Sequence, residues 1–385
     1  MNRSFQVGPH QLTLLQNGSE YFPRLCADID AAQHSVHVET YIFAADDTGR
    51  LVSQALQRAA QRQVAVRLLL DGFGSAELPE EWVEALRRAG VEVQWFRRER
   101  GFFLLRRYRL RRMHRKLAVI DGRIAYVGGI NILDDIPAGA DFSAPRLDYA
   151  VRIEGPLAHV VQEAMRHLWA SVRWATLKKR IARLRVELRH VPAAPERGGA
   201  ALLLRDNLGN RHTIEAAYLR AIRAAQREIV LAHAYFLPGR ALRRALRRAA
   251  RRGVRVVLLL QGRVEYRLQH YATQALYGQL LKAGIEIYEY RASYLHAKVC
   301  VVDGAWATLG SSNLDPFSLW LAREANLAVA DAGFAGALRD SVMEAVQQDA
   351  QPVVMPPRRP LLVFLALVSY GIIRLLVALL VRQRH

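Results

Sequence analysis

The sequence predicts an α/β protein built from two repeat-related α/β/α halves, each a mostly parallel mixed sheet clothed by helices, with a single active site at their interface. Three observations carry that expectation. Helix and strand patterns recur in the same order along the chain, buried strands alternate with amphipathic helices as in β-α-β units, and one polar motif stands in equivalent places of both copies. At 385 residues the chain exceeds the roughly 100–200 of one ordinary domain, which duplication explains.

Taken in order, HVETYIF from His37 reads as a strand, and ALQRAAQRQVAVRLLLDG from Ala55 as helix, short turn and buried strand. AGVEVQWF from Ala89 is a helix end, a glycine cap and an alternating strand, and the motif strand follows from His114. The second half repeats this with AHAYFLP from Ala232, ALRRAARRGVRVVLLLQG from Ala245, AGIEIYEY from Ala283 and a motif strand from His296. Glu39 and His233 are read as repeat-related strand positions, and His37, His233 and His270 as packed core histidines. Between the halves, LKKRIARLRVELRH and then VPAAPERGG form a basic helix and a Pro/Gly linker. The boundaries expected are 1–171 for the first half, 172–199 for the connector, 200–350 for the second half and 351–385 for a basic apolar tail. Cys26 and Cys300 suit structural filling in a reducing compartment rather than a disulfide.

The motif strands read HRKLAVIDGRIAYVGGIN and HAKVCVVDGAWATLGSSN. They share H-x-K-x₄-D-x₆-G-x-x-N, a pattern expected by chance on the order of 10⁻⁵ times in a chain of this composition. In an extended strand alternate side chains share a face, so His114 and Lys116 reach one phosphate together, as do His296 and Lys298. The apolar runs Leu117 to Ile120 and Val299 to Val302 bury the strand that presents them. Asn131 and Asn313 supply amide donors for phosphoryl oxygens, beside glycines that allow a close backbone approach. Phosphodiester chemistry needs a nucleophile, a proton donor for the leaving alcohol and cations for developing charge, and these residues are such a set. Only five residues are lysine against fifty arginines, so the lysines at both motif positions point to a need for a compact ammonium there. Neither half carries zinc-type spacing or a calcium loop, so no metal and no cofactor are expected.

A formal charge of +20 asks for a polyanionic partner, either anionic phospholipid at a membrane surface or nucleic acid. Nine arginines lie between Arg97 and Arg115, interleaved with Phe102, Phe103, Leu104, Leu105 and Tyr108, and read as an amphipathic lip that dips among lipid headgroups. The run from Leu361 to Val381 is long enough to span a bilayer, but Arg374 inside it favours a tilted or interfacial helix with basic flanks. No secretory signal is evident at the N-terminus. The expected location is the cytoplasmic side of the cell membrane, held peripherally or by a single C-terminal anchor. A nucleic-acid partner is disfavoured, since a soluble nuclease has no use for the apolar run.

On these residues the chain resembles the phospholipase D superfamily over both halves, because the motif just quoted is that superfamily's defining one. MHRKLAVIDGRIAYVGGIN, DYAVRIEGP and WATLGSSNLDPFSLWLAREANLAV resemble the bacterial cardiolipin synthase family of the short type, without a pair of N-terminal membrane helices. The resemblance implies that His114 attacks phosphorus to give a phosphohistidine, and that His296 protonates the leaving alcohol and then deprotonates the incoming one. It implies acidic residues on later strands that orient these histidines, at Asp148 and Glu324, while Asp121 and Asp303 complete the catalytic motif in a structural role. Arg323 and Phe317 depart from the pattern, standing where an Asn and an Arg are usual. The implied activity is transfer of a phosphatidyl group from one phosphatidylglycerol to another. Its competitors are hydrolysis to phosphatidic acid, a nuclease and a non-enzymatic phosphate-binding scaffold.

Overall fold

The computed structural model describes residues 3–98, 111–176, 195, 198–206, 209–265, 267–315, 318, 322–354, 368 and 371. The first half comprises β1 (Ser4–Val7), β2 (His10–Gln16), α1 (Asn17–Ala31), β3 (Ser35–Thr40), α2 (Asp47–Gln61), β4 (Ala65–Asp71), α3 (Glu80–Arg88), β5 (Glu92–Phe96), β6 (Leu117–Ile120), β7 (Ile124–Gly128), β8 (Tyr149–Glu154) and α4 (Leu157–Thr176). The second comprises β9 (Ala200–Arg205), α5 (Thr213–Ala224), β10 (Glu228–His233), α6 (Arg240–Arg251), β11 (Arg255–Gln261), α7 (Arg267–Leu281), β12 (Glu286–Tyr290), β13 (Lys298–Val302), β14 (Trp306–Gly310), β15 (Glu324–Val329), α8 (Ala332–Asp349) and β16 (Ala350–Pro352). Each half forms an eight-stranded sheet, ordered β1-β2-β8-β7-β6-β3-β4-β5 and β16-β12-β11-β10-β13-β14-β15-β9.

Local sequence accounts for the elements. In α2, Val52, Ala55, Leu56 and Ala59 recur at helical spacing and are buried, and the Asp46 side chain caps the helix by accepting from Gly49 N at 2.8 Å. In α6 the buried positions Leu242, Ala245, Leu246 and Ala249 alternate with arginines, which leaves one apolar stripe on an otherwise basic helix. Alternation in the motif strands divides the core. Leu117, Val119, Val299 and Val301 enter an apolar cluster shared by both sheets together with α4 and α8, while Ala118 and Ile120 face α1 to α3 and Cys300 and Val302 face α5 to α7. The two sheets therefore pack back to back through one common core.

The sheets are mixed, as expected, but their parallel share is smaller than the β-α pattern implied. Only β3-β4-β5 and β10-β11-β12 run parallel, and every other neighbouring pair is antiparallel. The reason lies in the motif itself. Asp121 (φ 49°) and Gly122 (φ 68°) form a tight turn closed by Arg123 N donating to Ile120 O at 3.0 Å, so β7 returns antiparallel to β6 without a crossover helix. Asp303 (φ 55°) and Gly304 (φ 62°) do the same between β13 and β14. Asp-Gly is the dipeptide that suits such a turn.

Two expected boundaries shift. Helix α4 runs on to Thr176, past the expected end of the first half at 171, and Gln351 and Pro352 belong to the second sheet through β16 rather than to a tail. Residues 99–110 of the basic-aromatic lip, 177–194 of the connector, Phe317 and nearly all of Leu361 to Val381 lie outside the described residues. Among the described residues no helix is long and apolar enough to cross a membrane.

Candidate active site

Each motif strand meets the carboxylate-bearing strand of the other half through its backbone before the side chains pair. Met113 and Arg323 form a parallel bridge across the halves, with His114 N donating to Arg323 O at 2.9 Å and Arg323 N to Arg112 O at 2.8 Å. Leu147 and Leu295 form the matching bridge, with His296 N donating to Leu147 O at 2.9 Å and Leu147 N to Tyr294 O at 3.0 Å. One residue further along each strand the side chains pair across the same boundary. His114 Nδ1 lies 3.0 Å from Glu324 Oε2, and His296 Nδ1 lies 2.5 Å from Asp148 Oδ2. Each half thus supplies the carboxylate for the other half's imidazole, and neither half holds a complete site.

The carboxylates are seated by small residues. A Cβ on Gly129 would fall 2.3 Å from Asp148 Oδ1, so this position has to be glycine for the carboxylate to reach His296. Its repeat mate is Ser311, whose hydroxyl donates to Glu324 Oε2 at 2.5 Å and whose carbonyl lies 3.1 Å from His114 Nδ1. With Nδ1–H held by a carboxylate, Nε2 of each imidazole is left with its lone pair free for substrate. Each lysine is tied to the backbone of its own motif: Lys116 Nζ donates to His114 O at 2.7 Å, and Lys298 Nζ donates to His296 O. Lys298 Nζ also lies 4.0 Å from Asp148 Oδ2.

Burial sets the protonation states. It pushes both histidines below 6.5; at His114 the Glu324 charge opposes that shift, and at His296 the cations Lys298 and Arg146 add to it. Burial also lowers Lys116 to about 7 and Lys298 to about 8, although Glu324 and Asp148 respectively pull them back up. Asp148 is raised to about 6 by the same desolvation, against the nearby Lys298. The site therefore holds neutral imidazoles between ammoniums that are ready to lose protons, and a phosphodiester anion beside them stabilises the charged form of each lysine.

Asn131 and Asn313 are both buried next to the motif strands. Asn131 Oδ1 accepts from Ile42 N at 3.2 Å, and Asn313 Oδ1 has no hydrogen-bond partner among the described residues. Asp121 and Asp303 stand apart from the site. Asp121 accepts from the backbone N–H groups of Gln33, His34 and Ser35 at 2.9, 2.8 and 2.7 Å, and Asp303 from those of Gln226, Arg227 and Glu228 at 2.9, 2.7 and 2.9 Å. The x₄ spacing carries them to the far end of the motif strand, roughly 17 Å from the lysine at 3.3 Å per residue. Each pins the turn after its strand to the start of the neighbouring one. Among the described residues no group of three His, Cys, Asp or Glu side chains is placed to hold a metal ion.

Strand register corrects one pairing. Glu39 stands opposite Leu117 and Ala232 opposite Val299, so the repeat mate of Glu39 is Ala232, and His233 matches Thr40. A shift of one residue changes the face. Glu39 is buried in an ion pair with Arg115 at 2.6 Å, behind the reacting face, and His233 is fully buried beside Tyr218. Arg323, the departure from the usual pattern, lines a small cavity with Arg115, His167 and Arg205, so its side chain lies with that ion pair and not with His114. Sequence reading missed Tyr41, whose ring packs edge-on to His114 at 4.7 Å and lies 5.1 Å below Lys116 Nζ. The signal was its place just after β3, where the repeat carries Ala234.

A doubled α/β unit whose two His-Lys motifs share crossed carboxylates defines the phospholipase D class of phosphodiester-transferring enzymes. The family described as cardiolipin synthase, PLD-like domain, matches residues 25–169 and 218–345, and the chain belongs to it. The cardiolipin synthase B of Escherichia coli O6:H1 is 40% identical over 365 residues, covering 93% of this chain and 86% of that one. A cardiolipin synthase of Geobacillus kaustophilus is 33% identical over 331 residues, covering 84% and 64%. The fold is shared with the phosphatidylserine synthase of Haemophilus influenzae at a TM-score of 0.67, 14% identity and coverage of 97% and 96%. It is also shared with the polyphosphate kinase of Porphyromonas gingivalis, at a TM-score of 0.56, 16% identity and coverage of 94% and 53%.

Proposed function

We propose that this chain is a cardiolipin synthase, which moves a phosphatidyl group from one phosphatidylglycerol to another and releases glycerol. Family membership supports the phospholipid substrate, and the crossed histidine-carboxylate pairs carry the mechanism. His114 Nε2 attacks phosphorus with its lone pair; as the P–N bond forms, the bond from phosphorus to the glycerol oxygen breaks and that oxygen takes the proton of His296. The substrate's negative charge favours the protonated His296 needed at that moment, and Asp148 keeps the ring turned by holding Nδ1–H. In the second step the hydroxyl of another phosphatidylglycerol gives its proton to His296 and its oxygen attacks phosphorus. The P–N bond then breaks, which restores His114. Lys116 and Lys298 face the phosphoryl oxygens, and Asn131 and Asn313 add amide donors.

The reaction site lies where an anionic lipid surface meets the basic lip expected at 97–115, and the apolar run at 361–381 holds the chain to that surface on the cytoplasmic side. Incubating the purified chain with phosphatidylglycerol vesicles and analysing the lipids tests the proposal. Cardiolipin and free glycerol should appear together. Phosphatidic acid alone would establish a hydrolase instead, and DNA cleavage without lipid turnover would establish a nuclease.

A further inference from the structure

One difference between the two half-sites lies at the ends of repeat-related strands. Asp71 ends β4 and Gln261 ends β11, and each accepts the backbone N–H just before a motif histidine: Asp71 Oδ2 from Met113 at 2.8 Å and Gln261 Oε1 from Leu295 at 2.7 Å. In the first half both oxygens of Asp71 are engaged. Asp71 Oδ1 accepts from Phe73 and Gly74 at 2.9 and 3.1 Å, and this turn packs so closely on Tyr41 that a Cβ on Gly74 would fall 2.3 Å from its carbonyl. In the second half Ala234 replaces Tyr41 and the place stays open as a cavity of about 20 Å³. Gln261 lines this cavity and is 9% exposed, with its Oε1 committed to Leu295 and its Nε2 left as the donor end. That Nε2 is buried without a hydrogen-bond partner among the described residues, and so is Oε1 of Gln269, which lines the same cavity from α7.

An orphaned donor and an orphaned acceptor on one small cavity are complementary to a hydroxyl, which can satisfy both at once. The volume suits a group of that size, since about 10–15 Å³ admits one water. The charges on the wall are already matched. Glu265 accepts from Tyr235 at 2.7 Å and lies 4.0 Å from Arg146, while Arg263 donates to Asp141 at 2.7 Å. The cavity is linked to the reacting centre: the charge of Glu265 on its wall acts on Lys298, Arg146 at 4.0 Å from Glu265 acts on His296, and Ala234 N donates to Ala297 O at 3.1 Å. We propose that this cavity holds a second hydroxyl of the alcohol that exchanges protons with His296, so that the second half selects polyol head groups through Gln261 and Gln269. The inference rests on the synthase reading and adds to it an asymmetry: His296 serves the alcohol because its side of the cleft recognises one.

The test offers equal concentrations of labelled glycerol and 1-propanol to the full chain with phosphatidylglycerol in neutral detergent micelles, and measures phosphatidyl transfer to each. The native chain should favour glycerol by about tenfold or more, the value of one well-made hydrogen-bond pair. Gln261→Glu keeps the acceptor for Leu295 N but removes the donor, and Gln269→Leu removes the acceptor. Each should lower the glycerol-to-propanol ratio about tenfold. Equal transfer to both alcohols by the native chain overturns the proposal, as does an unchanged ratio in an active variant. Should both variants prove inactive, 1,3-propanediol against 1-propanol on the native chain decides: a preference for the diol supports the cavity, and none overturns it. Absence of any phosphatidyl transfer would instead sink the synthase reading, a failure distinct from loss of selectivity.

Discussion

Glu324 Oε2 lies 3.0 Å from His114 Nδ1, although the two residues are 210 positions apart and belong to different halves of the repeat. The buried carboxylate holds the imidazole in the tautomer that leaves Nε2 unprotonated, and it offsets the positive charge that His114 gains while bonded to phosphorus. Glu324→Gln preserves size but removes that charge, and its amide can turn an N–H toward Nδ1 and select the wrong tautomer. Activity should fall by roughly 10²–10⁴, as when the carboxylate of a comparable histidine pair is made an amide. Denaturation midpoint should stay near that of the native chain, and a variant with undiminished kcat would refute this role for Glu324.

Gly129→Ala tests the space around the opposite pair. The added Cβ would stand 2.3 Å from Asp148 Oδ1, so the carboxylate has to move and lose its 2.5 Å contact with His296. A displacement of about 1 Å at such a site costs roughly 100-fold in rate. Gly139→Ala, at an exposed loop glycine (φ 75°) with no atom within 4 Å of the added Cβ, should leave kcat near native, and rates measured side by side separate the two.

The roles of the two histidines separate in a trapping experiment. Mixing His296→Ala with phosphatidyl-p-nitrophenol, whose leaving group departs without a proton, and quenching rapidly should leave a phosphatidyl group on His114, because the alcohol that must deprotonate to release it has lost its base. His114→Ala should trap none. Mass spectrometry of the labelled peptide decides, and a label on His296 in the His114→Ala chain would reverse the assignment.

Much of this site is legible in one dimension. The spacing of His114 with Lys116 and of His296 with Lys298 reports a shared strand face, and the duplicated context shows that the copies form one site. Which carboxylate serves which histidine is not legible, since Asp148 and Glu324 each follow the motif of their own half and only the cross-half bridges at Met113 and Leu295 exchange them. The share of antiparallel pairing was readable in principle from the Asp121-Gly122 and Asp303-Gly304 turns. The strong β-α periodicity upstream obscured it. Tyr41 and Gln261 were hidden for another reason: their meaning depends on comparison with Ala234 and Asp71, and the repeat alignment becomes reliable at that level only with the strand register in hand.

Asp121→Ala should lower stability without disabling the chemistry. Three backbone donors lose their acceptor and an alanine must hold a φ of 49°, at a cost of about 1–3 kcal/mol. Burial alone would raise the Asp121 carboxyl, but the three N–H groups bring it below 3.8, so its stabilisation is present at neutral pH and lost as pH falls through that lowered value. Urea titration should show the reduced midpoint, while kcat per folded molecule stays within about twofold, because roughly 17 Å of strand separates the turn from Lys116. A proportionate loss of kcat would place Asp121 in the reaction after all.

The lysines set the upper edge of the pH profile. Burial lowers Lys116 to about 7 and Lys298 to about 8, so each loses its charge as pH rises through those values, and the attraction for a phosphodiester is lost with it. On the acid side, His114 needs a free lone pair and its pKa lies below 6.5, while Asp148, raised to about 6, must be ionised to hold the Nδ1–H of His296. kcat/KM, which reports the free enzyme, should therefore be highest between about pH 6 and 7 and fall on both sides, with a second alkaline loss near 8. Once the anionic substrate is bound, its charge raises both lysines, so the alkaline limb of kcat should lie above that of kcat/KM. Neutral detergent micelles with dilute phosphatidylglycerol avoid the surface acidification of an anionic bilayer, which would move both limbs together. An alkaline limb for kcat/KM near the ordinary lysine value of 10.5 would mean that the ammoniums are not desolvated before substrate arrives, and that burial of Lys116 and Lys298 does not tune this site.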